Sequence, residues 1–178
     1  MTFSILTVCT GNICRSPAVE RMLAAAMPAG VRVSSAGTGA VVGAPVSPEM
    51  ARLMLGDGVS PEGFVARQVS PSIVAEADLV LALTRAHRSA VVRLRPAAVR
   101  RTFTLLEFAR IVGSEELRDI NVAEDLAEVV DFASRHRLLG EVVADDDVPD
   151  PYRQGPEAFA EAYGLIRGAV LSIARALR

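Results

Sequence analysis

Cys9 and Arg15 bracket the run Cys9-Thr10-Gly11-Asn12-Ile13-Cys14-Arg15-Ser16-Pro17. The pairing alone is weak: 2 cysteines among 178 residues, with all 19 basic residues arginine, produce this spacing by chance in about one such chain in five. The residues between them make it specific. A loop over Thr10, Gly11, Asn12, Ile13, Cys14, Arg15 and Ser16 can wrap backbone N–H groups around an anion. Gly11 and Asn12 tolerate positive φ, and Pro17 opens a helix whose dipole points at the loop. The same field favours a thiolate at Cys9, which can attack a phosphate ester in line. Arg15 brings a planar fork for two equatorial phosphoryl oxygens. Ser16 can donate to the Cys9 sulfur or cap the following helix.

A leaving oxygen needs a proton, and Asp150 in Val148-Pro149-Asp150-Pro151-Tyr152 is the best donor, because prolines on both sides stiffen the loop that presents it. Asp145, Asp146 and Asp147 read as less constrained. This acidic cluster lacks the glycine and glutamate spacing of a calcium loop and has no histidine nearby in sequence, so no metal site is expected. His87 and His136 lie on arginine-rich helical patterns and read as solvated helix residues without a role.

The elements that must position these residues alternate between strand and helix patterns. Phe3 to Val8 reads as a strand, followed by a helix through Val19, Met22, Leu23 and Met27 that Pro28 and Gly30 close. Val31 to Ser35 is a second strand; Ser47-Pro48 and Ser70-Pro71 each open a helix. Leu79 to Leu83 is apolar throughout, as in a strand buried on both faces. Thr84 caps a helix through Leu94, Arg101 to Leu105 is a fourth strand, and the chain turns helical from Glu107. Later helices run through Val122, Leu126, Val129, Val130 and Ala133, and from Phe159 to Leu177. Asp145 to Gly155 is a surface loop. The expectation is one α/β domain over residues 1–178, with a mainly parallel sheet, helices on both faces and the phosphate loop after the first strand, where open α/β sheets bind ligands.

Composition bounds the rest. An apolar content of 51% over 178 residues is enough for one core. A net charge of −2 lacks the electropositive footprint that nucleic-acid binding needs. The start MTFSILTV has no basic leader or cleavage site, and no apolar stretch approaches a membrane span, so a cytoplasmic protein without membrane association is expected. Two cysteines this close together do not make a secreted disulfide framework.

The chain resembles the low-molecular-weight protein tyrosine phosphatases through Cys9 to Pro17, Ser34-Ser35-Ala36-Gly37-Thr38, Ala66-Arg67-Gln68, Ala77-Asp78-Leu79, Thr84-Arg85-Ala86-His87-Arg88 and Asp150-Pro151-Tyr152. The resemblance implies a four-stranded parallel sheet, no metal or organic cofactor, a phosphoprotein or small aryl phosphate substrate and a phosphocysteine intermediate. It assigns Cys9 as nucleophile, Arg15 to phosphate binding and Asp150 as acid, with Asn12 and Ser35 shaping the loop. Cys14 matches the family's second cysteine, which can form a reversible disulfide with the nucleophile; a small packed residue is the competing reading. Two departures stand out. A segment at about 112–140 carries an extra helix that could shape access to the site. Val41-Val42 occupies the place of an aromatic wall, leaving Tyr152 as the flat surface for an aryl group.

Phosphoarginine-hydrolysing relatives resemble this loop but tend to carry threonine where Ile13 stands, so Ile13 fits the tyrosine-type group better. Thiol arsenate reductases share the oxyanion loop yet relay electrons through further cysteines, and none follows Cys14. A phosphate-binding module without turnover is the non-enzymatic alternative, against which the full set of Cys9, Arg15 and Asp150 argues.

Overall fold

In the computed structural model, residues 2–114, 126–137 and 146–177 are described. Four strands, β1 (Phe3–Cys9), β2 (Val31–Gly37), β3 (Leu79–Ala82) and β4 (Thr102–Thr104), form one parallel sheet in the order β2-β1-β3-β4. Among the described residues, helices α1 (Arg15–Ala26), α2 (Pro48–Gly56), α3 (Pro71–Ala75), α4 (Arg85–Leu94), α5 (Leu105–Val112), α6 (Leu126–His136) and α7 (Pro156–Ala176) accompany the sheet, with a short 3₁₀ turn over Pro96–Arg101.

Side chains alternate across each strand, so neighbouring residues feed opposite faces of the sheet. Ile5, Leu79, Leu81 and Phe103 face a large core with Val19, Leu23, Met50, Phe108 and Ile166 from α1, α2, α5 and α7. Leu6, Val8 and Val80 face a smaller one with Val74 of α3 and Val91 of α4. The sheet is thus covered on both sides, which is why β3 is apolar at every position. α7 packs along α1 and α5.

Element ends follow local chemistry. The side chains of Ser70 and Thr84 accept from the N–H groups of Ile73 and His87 and cap α3 and α4. Thr104 and Glu107 form a reciprocal capping box, so α5 begins at Leu105, two residues before the expected turn at Glu107. Likewise α1 begins at Arg15 rather than Pro17. The helix expected through Val122, Leu126, Val129, Val130 and Ala133 is seen as α6 from Leu126 onward; Val122 lies outside the described residues, as does Asp145.

From β1 the chain crosses to β2 on one side and then returns past β1 to β3 on the other. That reversal opens a crevice at the carboxyl ends of β1 and β3, the place such sheets reserve for ligands. The loop after β1 sits here, pressed against the end of β2. A Cβ built on Gly37 would lie 2.3 Å from the Thr10 carbonyl oxygen, a backbone atom with no freedom to retreat. Gly37→Ala should therefore displace the loop, lowering stability by about 1–3 kcal/mol in a urea titration and abolishing most phosphate binding in a calorimetric titration.

Candidate active site

The loop from Cys9 to Arg15 is held from outside by its carbonyls. The oxygens of Cys9, Thr10, Gly11 and Ile13 accept from the N–H groups of Thr38, Gly39, Val41 and Ser47 at 2.9, 3.0, 3.0 and 2.7 Å. In a trans peptide the N–H points opposite to the C=O. With four carbonyls turned toward the 38–47 segment, the amides of Thr10, Gly11, Asn12 and Cys14 turn the other way, into the ring of the loop. α1 adds its own free N–H groups: its N-cap, Cys14, makes no side-chain cap, and its first turn carries no acidic residue. The positive end of that helix is therefore uncompensated at the loop.

Asn12 supplies the turn and the internal bracing. It takes φ 55°, a conformation asparagine accepts better than most residues; Gly11, also expected to allow positive φ, does not use it. The Asn12 amide, fully buried, spends every polar atom. Its oxygen accepts from the Arg67 N–H at 2.9 Å, and its nitrogen donates to Ser16 Oγ at 2.9 Å and Ser35 Oγ at 2.8 Å. Ser35 passes its own hydrogen to Glu20 Oε2 at 2.6 Å. Ser16 Oγ, already accepting from Asn12, lies 3.0 Å from Cys9 Sγ. A hydroxyl has one hydrogen, and the sulfur is where Ser16 can place it. Of the two roles weighed for Ser16, the geometry supports the bond to sulfur; the residue lies inside α1 and caps nothing.

Arg15 is 3% exposed. One terminal nitrogen donates to the Val148 carbonyl at 3.0 Å, the other lies 3.2 Å from Asp150 Oδ1, and Nε is buried without a hydrogen-bond partner. Val148 donates its own N–H to the Leu83 carbonyl at 2.9 Å, at the end of β3. The acid-bearing loop is thereby stitched to the sheet through one residue. Asp150 Oδ1 also accepts from the Tyr152 N–H at 3.3 Å, a short turn that aims the carboxylate at Arg15.

Two readings of the surrounding residues need correction. Asp146 and Asp147 are anchored rather than loosely held. Asp146 binds Arg110 through both oxygens at 2.9 and 3.2 Å, and Asp147 accepts from the Arg85 N–H at 2.7 Å. His87 is not solvated: it is 7% exposed, with Nε2 2.8 Å from Thr10 Oγ1 and Nδ1 2.9 Å from Thr84 Oγ1. Its position three residues past a cap at the carboxyl end of β3 was the one signal in the sequence that it faces the crevice. His136 is half-buried and stacks on Phe132.

Cys14 is buried and its thiol lies 3.2 Å from Ser47 Oγ; both cysteines are free thiols. Burial pushes the Cys14 thiol up to about 11, against the opposing effect of its hydrogen bond with Ser47, so it is held protonated at neutral pH. Tyr152 is half-exposed beside a groove of about 400 Å³ that includes Ile13, Pro45 and Phe159. Val41 and Val42 are exposed, Val41 near Gly11. No helix among the described residues is long and apolar enough to cross a membrane.

A strand-to-helix loop with inward amides, a cysteine at its base, a buried arginine at its end and an aspartate across its mouth defines the class of cysteine-dependent phosphatases. Comparison with known proteins agrees. The sequence profile of the low molecular weight phosphotyrosine protein phosphatases matches residues 4–122. The chain is 31% identical over 166 residues to the low molecular weight protein-tyrosine-phosphatase Etp of Escherichia coli, covering 93% of this chain and 88% of that one. The crystal structure of the Erwinia amylovora tyrosine phosphatase AmsI superposes with a TM-score of 0.74 at 29% identity, over 99% of this chain and 94% of that one. The YwlE arginine phosphatase from Geobacillus stearothermophilus gives 0.74 at 26% identity, over 97% and 91%. The chain belongs to the low molecular weight phosphotyrosine protein phosphatase family, and it is a phosphatase of the protein-tyrosine-phosphatase type.

The burial of His87 makes the site pH-sensitive. Burial, and then the charge of Arg15, lower its proton affinity from 6.5 to about 4, while Asp150 and Asp147 oppose the shift. Between those values the unfolded chain binds a proton that the folded one does not. Stability is therefore full above about pH 6.5 and falls as pH drops toward 4, by up to ~3 kcal/mol. Urea midpoints at pH 7 and pH 4.5 should show this loss in the wild type and a smaller one in His87→Gln, the difference isolating His87 from the carboxylates.

Proposed function

We propose that the chain hydrolyses phosphotyrosine in proteins through a phosphocysteine intermediate formed on Cys9. The observation that carries this reading is the state of Arg15. Its guanidinium is buried, tied to Val148 and Asp150, and keeps Nε without a partner. A buried donor left unspent costs free energy, and a phosphoryl oxygen in the loop would satisfy it. Thr10, Gly11, Asn12, Ile13, Cys14, Arg15 and Ser16 form the cradle in this reading, with the amides stabilising charge on the equatorial oxygens.

The reaction runs in two displacements. The Cys9 thiolate attacks phosphorus as the bond to the ester oxygen breaks, and Asp150 in its acid form gives that oxygen its proton. Water then attacks the phosphocysteine, Asp150 takes up the proton released, and the sulfur leaves as thiolate while inorganic phosphate forms. Ser16 donates to the negative charge on sulfur as it arrives and as it leaves. The Arg15–Asp150 contact spans the phosphate site and the acid, so substrate entry would release Asp150 toward the leaving oxygen.

Tyr152 and Ile13 support an aromatic substrate: Tyr152 offers a half-exposed ring at the mouth, and Ile13 lines the groove beside it. The free thiols of Cys9 and Cys14 suit a reducing compartment, and the cytoplasm is the location proposed. A disulfide between them would be a reversible protective state.

Rapid-mixing hydrolysis of an aryl phosphate should show a burst of one phenol per enzyme, absent in Cys9→Ser. Asp150→Ala should slow the burst 10²–10⁴-fold, most for esters with poor leaving groups. Phosphotyrosine should be cleaved faster than phosphoarginine on the same preparation; the reverse ratio would move the substrate to phosphoarginine. Undiminished turnover in Cys9→Ser would overturn the mechanism.

A further inference from the structure

The first turn of α4 touches both loops that carry the reaction. On one side the Arg85 N–H donates to Asp147 Oδ1 at 2.7 Å, three residues before Asp150. On the other, His87 Nε2 meets Thr10 Oγ1 at 2.8 Å, one residue after Cys9. Thr84 locks the turn itself: its hydroxyl caps the His87 N–H at 3.2 Å and meets Nδ1 at 2.9 Å. Both ring nitrogens are thus engaged, and the ring cannot rotate without losing two bonds. Thr10 is clamped from the opposite side as well, since its carbonyl accepts from Gly39 at 3.0 Å and Gly37 packs against it.

We propose that His87 is a positioning residue for the phosphatase reaction. Acting through Thr10, while its own helical turn holds Asp147, it sets the separation between the nucleophile loop and the acid loop. The inference rests on the proposed roles of Cys9 and Asp150. Its physical content is geometric: in-line attack and proton transfer must occur together, so a shift of one loop against the other costs rate even when each loop keeps its own shape. The neutral ring has one N–H. If Thr84 donates to Nδ1, the Nε2 hydrogen goes to Thr10. A glutamine amide can present either a donor or an acceptor to Thr10, so His87→Gln tests the contact without depending on the tautomer.

Two aryl phosphates separate positioning from general damage: a strongly activated ester, whose leaving group needs no proton, and a phenyl-type ester, which does. His87→Ala should lower the burst rate on the second about tenfold and on the first no more than about twofold. Affinity for inorganic phosphate should change less than about twofold. His87→Gln should recover most of the loss. Thr10→Val should show the same ratio of losses between the two esters, whatever its absolute rates and phosphate affinity, and the double variant should be no worse than the more damaged single one. Equal losses on both esters, additive effects, or wild-type rates in His87→Ala would overturn the proposal. Should His87→Ala fail to fold, Thr10→Val carries the same contrast, with His87→Gln expected to stay near the wild-type rates. Asp150→Ala run alongside keeps the two hypotheses apart: without ester dependence there, the acid assignment fails, whereas ester dependence in Asp150→Ala without it in Thr10→Val removes only the role of His87.

Discussion

A peptide unit cannot point its C=O and N–H the same way, and the site depends on that constraint. The segment from Thr38 to Ser47 takes the carbonyls of Cys9, Thr10, Gly11 and Ile13, and the amides have no choice but to face inward. The loop therefore arrives at its anion already organised, with its donors oriented by bonds made on the far side. Such preorganisation is what makes backbone donors effective in stabilising charge on a transferring group. The glycine at 37 and the αL asparagine at 12 are what this arrangement asks of local geometry.

Charge completes what the backbone begins. Arg15 is buried where the uncapped end of α1 is also positive, an expensive arrangement unless a negative group is close. Asp150 supplies that group from a half-exposed position. The pairing couples the phosphate site to the acid, while Val148, Asp146 and Asp147 hold the acid loop by contacts separate from the Arg15–Asp150 pair. A further chain of hydroxyls and one amide, from Glu20 through Ser35, Asn12 and Ser16, ends at the Cys9 sulfur. The Asn12 amide donates in both directions, to Ser35, which donates in turn to Glu20, and to Ser16, which meets the sulfur, so a buried polar network persists without an orphaned Asn12 atom.

Much of this was legible in the sequence because it is short-range. Strand alternation, the serine and threonine caps at Ser70 and Thr84, and the run from Cys9 to Pro17 are all encoded within a few residues of one another. Asp150 stood out because flanking prolines restrict it locally. His87 reads as solvated because the arginine-rich helical stretch outweighs the one local signal, its place three residues past a cap, and its partner Thr10 lies 77 residues earlier in the chain. Asp146 and Asp147 looked unconstrained for the same reason: their partners, Arg110 and Arg85, are distant in sequence and meet them only across the fold.

The sequence by itself determined the reactive groups, the loop that presents them and the alternating α/β pattern, because these follow from residue type, dihedral preference and period. Only the tertiary structure decided which of them meet. The strand order β2-β1-β3-β4 brings the ends of β1 and β3 together, and that adjacency sets Thr10 against His87 and Leu83 against Val148. Such contacts depend on the order of strands in the sheet, which is chosen by burial of both its faces and is not written at any one position of the chain.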